Sequence, residues 1–251
     1  MIINKPNEMQ IPSLRSLWAE AFGDENEFLD RFFDVAYSEN RCRVLTVDKS
    51  VKAALYWFDA EFQGKKIAYL YAIATEKKEQ GKGYCTALMR DTHAFLRENG
   101  YCAAMLCPAN DSLFEFYHRL GYENATYTSE FQCFRANETV ELKQISTEEY
   151  NFLRKLYLPF DSVIQEKETT DFLATFSSFY SGDDFIICTK EQEGVLYTSE
   201  ILGNTKNAPK ILAALGYEQG IFRGVGNQKP FTMIYKFEEI QTPTYFGHVL
   251  D

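Results

Sequence analysis

The residues best suited to chemistry form a glycine-containing loop, Gln80–Thr86, between an apolar segment and an amphipathic one. Glycine has no side chain and tolerates left-handed conformations, so the backbone can approach a ligand closely. The first N–H groups of a helix have no partner inside the helix, and they carry partial positive charge. A strand, a glycine loop and a helix N-terminus in this order therefore predict a site for a phosphate or pyrophosphate.

A second segment with chemical potential lies downstream, where Asn110 precedes Tyr117 and the sequence Leu120–Tyr122 follows. It comes after an apolar strand at 103–107 and predicts a short helix that ends at Gly121. Asn110 and Tyr117 are the candidate functional residues of this segment.

Together the two segments resemble the GCN5-related N-acetyltransferase (GNAT) superfamily. Its loop pattern is Gln or Arg, two residues, Gly, one residue, then Gly or Ala. Gln80 and Gly83 match this pattern, whereas Cys85 stands at the last position. The second motif, an Asn followed by the Tyr and then Leu-Gly-Tyr, matches throughout. The resemblance covers residues 1–136.

The resemblance implies acetyl-CoA as the acyl donor and assigns roles to these residues. Loop N–H groups would hold the pyrophosphate, and strand backbone would pair with the amide arm of the cofactor as an added strand does. Tyr117 would be the general acid, and Lys82 would either contact phosphate or remain a solvated loop charge. The implied cofactor-binding residues are Ile73, Thr75, Gln80, Gly81, Lys82, Gly83, Tyr84, Cys85, Thr86 and Asn110.

The residue that accepts the proton of the amine is open at this stage. In the histone-modifying branch of the family a Glu on the cofactor strand lies at the position that Tyr69 holds here. The alternatives are a water chain, the terminal carboxylate of the aromatic tail 245–251, and carboxylates near the expected acceptor cleft. These carboxylates are Glu20, Asp59, Glu61 and Glu76.

The composition limits the classes of partner. The net charge is −10 and no basic stripe is visible, which argues against a nucleic-acid partner. The apolar runs have strand length and no signal peptide is apparent, so we expect a cytoplasmic protein without a membrane partner. Six cysteines without a Cys-x-x-Cys pair predict reduced thiols and no metal site. The oligomeric state, monomer or homodimer, is open.

The order of helical and strand patterns predicts an α/β (α+β) fold, and the resemblance makes it a GNAT-type mixed, mostly antiparallel twisted sheet flanked by helices. Strand alternation predicts that Tyr69, Tyr71 and Ile73 share one face. It also places Tyr56 and Phe58 on the face opposite Trp57. The patterns predict helices at 11–22, 25–37 and 86–99, strands at 43–47, 52–59 and 67–74, and hairpin turns at 48–50 and 63–65.

The second half echoes the first. Leu14–Trp18 resembles Leu153–Tyr157, and Leu120–Glu123 resembles Leu215–Glu218. The later copy lacks a glycine loop and has Leu212 where Tyr117 would stand. We interpret the chain as an acetyl-CoA-binding GNAT domain at 1–136 and a smaller, degenerate GNAT-like domain at 137–251. Chance similarity is the alternative.

The function expected from these features is acetyl-CoA-dependent N-acetyl transfer, directly, to a primary amine of a small molecule. Two other functions stay open. A protein or peptide N-acetyltransferase would need an open acceptor groove, and a non-catalytic acyl-CoA-binding module would bind the cofactor without transferring its acyl group.

Overall fold

The structure, a computed structural model, describes residues 1–250, and the chain divides into two compact units. The first unit is Met1–Glu123 with Met233–Gln241, and the second is Asn124–Thr232 with Thr242–Asp251. The predicted domains, 1–136 and 137–251, stay a prediction. The compact units differ from them in two places, because residues 124–136 belong to the second unit and residues 233–241 return to the first. Among the described residues, no helix combines the length and apolar character needed to cross a membrane.

The first unit consists of a sheet and four helices. A π-helical turn, Phe32–Ala36, extends the second helix, and a short 3-10 turn, Lys77–Glu79, precedes the glycine loop. The strands are β1 (Ile2–Asn4), β2 (Cys42–Val47), β3 (Ser50–Phe62), β4 (Lys65–Thr75), β5 (Tyr101–Leu106) and the last part of β12 (Lys229–Lys236), and the helices are α1 (Ile11–Phe22), α2 (Asn26–Arg31), α3 (Tyr84–Glu98) and α4 (Asp111–Arg119).

The strands of the first unit follow the order β1–β2–β3–β4–β5–β12. All neighbouring pairs are antiparallel except β4 with β5, which the crossover helix α3 connects in parallel. The two predicted hairpin turns are present. Asp48 and Lys49 both have positive φ, as do Gln63 and Gly64, which matches the twist that tight hairpins need.

Aromatic residues cover both faces of this sheet. Trp18 of α1 packs on Tyr56, with ring centroids 5.2 Å apart, whereas Trp57 packs on Phe95 of α3 at 5.9 Å. Phe58 faces Phe32, on the same side as Tyr56. The prediction that Tyr56 and Phe58 lie opposite Trp57 is therefore confirmed.

The prediction that Tyr69, Tyr71 and Ile73 share one face is wrong at Ile73. The rings of Tyr69 and Tyr71 are 6.2 Å apart, and Tyr71 also contacts Trp18. Ile73 instead packs against the core on the α3 side, which contains Leu70. Alternation along β4 must therefore be interrupted between Tyr71 and Ile73.

The interruption is a β-bulge. Tyr56 pairs with Tyr71 and Ala54 with Ala74, so β4 has one more residue than β3 over this stretch. The extra residue shifts the following side chains to the other face of the sheet. Ala72, within the bulge, has φ 47, a left-handed conformation that is uncommon for residues other than glycine.

The second unit also combines a sheet with helices. Its strands follow the order β6–β11–β10–β9–β8–β7, with β10 and β11 parallel. The elements are β6 (Glu123–Phe134), β7 (Lys143–Gln144), α5 (Thr147–Tyr157), α6 (Glu168–Leu173), β8 (Ser178–Ser181), β9 (Phe185–Gln192), β10 (Val195–Gly203), α7 (Ala208–Leu215), β11 (Gln219–Val225) and the start of β12.

The two units share an order of elements. The series β1–α1–α2–β2–β3–β4–α3–β5 has the same order and strand directions as β7–α5–α6–β8–β9–β10–α7–β11. Strand β10 even contains a bulge, because Thr198 pairs with Thr189 and Glu200 with Cys188. In the part of the chain that the structure describes, β11 leads directly to β12, so the second unit has no counterpart of α4.

The repeated Leu-Gly-Tyr sequences are two equivalent helix ends. The N–H of Tyr122 donates to the carbonyl of Tyr117 at 3.1 Å, and the N–H of Tyr217 donates to the carbonyl of Leu212 at 2.9 Å. This is the hydrogen bond of a helix end closed by a left-handed glycine. Because α7 corresponds to α3, the alignment of Leu212 with Tyr117 reflects a shared cap and not a shared position in the fold.

A buried ion pair connects α5 with β10. Arg154 binds both carboxylate oxygens of Glu200 at 2.7 and 2.9 Å, and the phenols of Tyr150 and Tyr245 donate to the same carboxylate. Burial alone would raise the pKa of Glu200, but the charges and hydrogen bonds around the carboxylate, chiefly those of Arg154, together outweigh burial and lower this pKa to about 2. Glu200 is therefore ionised inside the second unit.

Candidate functional site

The predicted glycine loop lies between β4 and α3. Gly81 and Gly83 have φ 81 and 80, in the region that glycine adopts most easily. Gly83 is the residue before α3 and offers no side chain to cap the helix. The first-turn N–H groups, those of Tyr84, Cys85 and Thr86, therefore depend on water or a ligand for hydrogen bonds, as an anion site requires.

Ion pairs surround the start of this loop. Lys82, expected to meet phosphate or to be solvated, is 2.6 Å from the Glu79 carboxylate. Lys52 of β3 is 2.6 Å from Glu76 and 3.7 Å from Glu79. The hydrogen bond from Lys82 lowers the pKa of Glu79, and that from Lys52 lowers the pKa of Glu76. Both carboxylates are ionised, and lysines from two elements hold them.

Strands β4 and β5 separate next to the loop. Their parallel register ends with Tyr69 paired to Met105, and no further pair follows within residues 1–250. Ile73 and Thr75 lie beyond this point, after the bulge at Ala72. Backbone on the β5 side of these two residues is therefore free of a neighbouring strand, and the resemblance implies that the amide arm of the cofactor pairs there. Gln80 closes the loop with a long bond, 3.5 Å, to the Thr75 carbonyl.

Tyr117 lies near the C-terminal end of α4, with only 7% of its surface exposed. Burial raises the pKa of its phenol well above the usual 10, and the neighbouring Cys85 thiol raises it further. The structure thus brings together the candidate acid and the first turn of α3. Within residues 1–250 the phenol has no hydrogen-bond partner, so its proton is available to a reacting group.

Asn110 begins α4 as its N-cap. Its side-chain oxygen accepts the N–H of Leu113 at 3.2 Å and the hydroxyl of Ser112 at 2.7 Å. This is the usual role of an asparagine at a helix start. Only the amide NH₂ group is left for the pantetheine contact that the resemblance implied.

A buried pair beside Tyr117 was not identified from the sequence. Tyr122 packs edge-on against Tyr117 at 5.6 Å, and its phenol is 2.7 Å from Nε2 of His93. Burial lowers the pKa of His93 to about 4, so the imidazole is neutral near pH 7. The pair fixes the aromatic wall on which Tyr117 rests. The signal was weak, because one histidine on a helix is usually a packed core residue.

The candidate bases differ in their ion pairs and in their distance from the glycine loop. Lys52 and Lys78 both bind Glu76, whose lowered pKa makes it a poor proton acceptor. Asp59 and Glu61 pair with Ala68 and Lys66, and therefore lie at the far end of β4 from Thr75. Ala53, the residue that pairs with Thr75, is six residues from Asp59 along β3, which corresponds to a distance of about 20 Å.

Two other candidate bases differ in their position. Glu20 lies near the turn that precedes the glycine loop, because its carboxylate accepts the N–H of Lys77 at 3.4 Å. The tail from Tyr245 to Leu250 is buried in the second unit, whereas Asp251, with the terminal carboxylate, lies outside the described residues.

Comparison with known proteins places this geometry in context. Residues 3–125 match the family model of the acetyltransferase (GNAT) domain. No curated protein sequence matches the chain significantly. Solved structures do match, among them a GCN5-related N-acetyltransferase from Kribbella flavida, with 14% identity, a TM-score of 0.72 and coverage of 93% of this chain and 70% of that one.

Two further structures are similar over both units. A probable N-acyltransferase from Enterococcus faecalis has 17% identity and a TM-score of 0.73, and covers 94% of this chain and 72% of its own. Eis1 from Mycobacterium abscessus has 12% identity and a TM-score of 0.68, with 94% and 74% covered. These likenesses confirm the predicted fold, a mixed, mostly antiparallel sheet flanked by helices.

Proposed function

On the premise that residues 3–125 form a GNAT acetyltransferase domain, we propose that this chain transfers an acetyl group from acetyl-CoA directly to a primary amine of a small molecule. The observation that carries the proposal is the convergence of three features in one unit. They are the left-handed glycines before α3, the separation of β4 from β5 after the bulge, and the buried phenol of Tyr117 beside the first turn of α3.

The first two features form the donor site in this proposal. The N–H groups from Gly81 to Thr86 bind the pyrophosphate, with the positive end of the α3 dipole behind them. The pantetheine arm lies along Ile73 and Thr75, where β4 lacks its neighbour. Its amides then satisfy strand groups that would otherwise bind water.

The chemistry needs few protein groups. The amine nitrogen attacks the thioester carbonyl carbon, an N–C bond forms, and the C–S bond breaks with its electron pair on sulfur. Tyr117 gives its proton to the sulfur, so that CoA leaves as a thiol, and water reprotonates the phenolate. In this proposal the proton that the amine loses goes to Glu20 or to a water chain.

The second unit is, in this proposal, a degenerate copy of the first. Its order of elements and the bulge in β10 support common ancestry. It lacks a helix equivalent to α4, and with it a residue in the place of Tyr117. Glu200, which Arg154 binds, comes directly after the bulge in β10. The corresponding part of β4 in the first unit is the segment that would hold the cofactor.

A transfer assay tests the function. Purified protein is incubated with acetyl-CoA and a panel of small amines, and CoA release is compared with that for peptides of similar charge. We expect turnover with small amines and a loss of roughly 100-fold in kcat for Tyr117→Phe, the scale of general acid catalysis.

The Tyr117→Phe variant should bind CoA as the wild type does, because the ring still packs in α4. Tyr127→Phe, an exposed tyrosine, is the matched control. Turnover of peptides alone would favour protein acetylation. CoA binding without any transfer would leave an acyl-CoA-binding module.

A further inference from the structure

The base of the glycine loop contains an arrangement of charges that the sequence did not reveal. Lys52, on β3, accepts a backbone hydrogen bond from Glu76 at its carbonyl, 2.9 Å, and binds the Glu76 carboxylate with its ammonium group. The same ammonium group is 3.7 Å from Glu79. The Glu79 carboxylate is meanwhile bound by Lys82 from within the loop. Two lysines thus share one carboxylate.

The charged side chains of this arrangement are mostly shielded from solvent, except for that of Lys82. The side chains of Lys52, Glu76 and Glu79 are 15%, 19% and 14% exposed, whereas that of Lys82 is 54% exposed. Charges held partly out of water interact more strongly than fully solvated ones. The Glu79 carboxylate is therefore a significant negative charge beside a loop whose proposed ligand is a pyrophosphate.

This arrangement creates a conflict that binding must resolve. If Lys82 stays on Glu79, it cannot neutralise a phosphate. If Lys82 leaves for the phosphate, Glu79 loses its closest cation next to a doubly charged anion. Lys52 is the other cation near Glu79 in the described residues, and it is already anchored to the strand.

We propose that Lys52 is a positioning residue for the pyrophosphate of acetyl-CoA, a role that rests on the proposed function. When the cofactor binds, Lys82 moves from Glu79 to the phosphate, and Lys52 neutralises Glu79 in its place. Lys52 does not touch the cofactor. It acts by removing the repulsion that Glu79 would otherwise exert on the pyrophosphate.

Calorimetric titration with CoA tests this role. Replacing the ammonium group in Lys52→Met should weaken CoA binding about tenfold, because a partly buried carboxylate then faces the phosphates unpaired. Lys52→Arg should bind within about threefold of the wild type, since it keeps the charge. Lys49→Met is the matched control, an exposed lysine in the β2–β3 turn, and should bind normally.

The double variant Lys52→Met with Glu79→Gln separates this role from a purely structural one. Without a carboxylate to neutralise, Lys52 is no longer needed, so CoA affinity should return to within about threefold of the wild type. Affinity that stays low in the double variant would overturn the proposal, because it would mean that Lys52→Met had disturbed the loop itself.

Two other outcomes are distinguishable. If the wild type binds CoA and Lys52→Met binds it equally well, the role of Lys52 is wrong and the proposed function stands. If the wild type does not bind CoA, the proposed function fails and this role fails with it. Thermal unfolding of each variant verifies that the compared proteins are folded.

Discussion

At the scale of single residues, Tyr117 is a buried tyrosine that keeps its proton. The residue is only 7% exposed, and burial, with the nearby Cys85, keeps the pKa of its phenol well above 10. A raised pKa keeps the phenol protonated until the C–S bond breaks. Because a thiol has a lower pKa, about 8.5, the pKa difference opposes proton transfer to sulfur, and reprotonation of the phenolate by water completes the step.

The pKa shift predicts the pH dependence of turnover. Because the pKa of Tyr117 is raised, the phenol is fully protonated at every pH below the usual value of about 10. The kcat of the wild type should therefore show no decline from loss of this proton between about pH 7 and 10, while deprotonation of the amine makes it rise. Steady-state rates across this range check the prediction. A decline with an apparent pKa of about 8 would contradict it.

Single residues also show what the sequence can and cannot indicate. Gly81, Gly83 and Tyr117 could be selected as candidates because glycine at a helix start and a motif of fixed spacing leave a signal in the sequence. Lys52 could not be found. It meets Glu76 and Glu79 only through the hairpin of β3 and β4, and a lysine on a strand is ordinarily a solvated charge.

At the scale of elements, the bulge in β4 sets the geometry of the strand that the proposed donor site uses. It moves Ile73 to the α3 face and coincides with the end of pairing between β4 and β5. The sequence predicted the strand but not the bulge, because alternation is a local pattern and an alanine at φ 47 leaves no mark in it. Ala72 holds a left-handed conformation because the surrounding pairs on β3 fix the strand on both sides.

Substitution at Ala72 tests this account. A left-handed conformation costs an alanine about 1 kcal/mol more than a glycine, whereas glycine in a regular strand costs roughly 0.5–1 kcal/mol. Ala72→Gly should therefore leave the free energy of unfolding unchanged or raise it by up to about 1 kcal/mol. The matched change Ala74→Gly, in the same strand, should lower it. Urea unfolding measures both, and equal losses would contradict a strained Ala72.

In the second unit, the bulged strand β10 is held to α5 by the ion pair between Arg154 and Glu200. Removing the charge in Glu200→Gln would leave Arg154 buried without a counter-charge. We expect the free energy of unfolding to fall by about 3–5 kcal/mol, the scale found when one partner of a buried pair is removed.

Urea denaturation of the full chain measures this loss, and Glu149→Gln is its control. Glu149 pairs with Lys143 at the surface of the same unit. Exposed pairs contribute little, so this change should cost less than about 1 kcal/mol. Similar costs for the two variants would mean that the buried pair does not stabilise the second unit.

At the scale of the whole molecule, the sequence predicted the element types well and the organisation only in part. Periodicity and turn residues gave the helices and hairpins of residues 11–99, because these patterns are local. The return of Met233–Gln241 to the first unit could not be predicted, since pairing of β12 with β5 joins residues more than a hundred positions apart. In the sequence, the repeat was visible as two pairs of similar short segments. The likeness in one pair, the two Leu-Gly-Tyr sequences, is that of two helix ends and not of two equivalent helices.

The repeat raises the question of how many cofactors one chain holds. Strand β10 resumes its pairing with β11 after the bulge, at Ile201 with Gly224, whereas β4 and β5 do not pair again. The helix after β10 begins at Ala208, with Pro209 in its first turn and no pair of left-handed glycines before it. Among its residues up to 250, the second unit thus lacks a gap between strands, a loop with two left-handed glycines and an equivalent of α4.

One acetyl-CoA should therefore bind per chain, and it should bind to the first unit. A calorimetric titration gives the number of sites, and Gly83→Ala gives their location. A side chain at Gly83 would meet no atom within 4 Å, but a φ of 80 is strained for alanine, so the variant should lose most of its affinity by distorting the loop.

Gly216→Ala is the matched control, because Gly216 has φ 82 and equally open surroundings at the end of α7. That variant carries the same strain in the second unit and should still bind one cofactor. Loss of binding in Gly216→Ala with retention in Gly83→Ala would place the cofactor in the second unit and reverse the roles of the two.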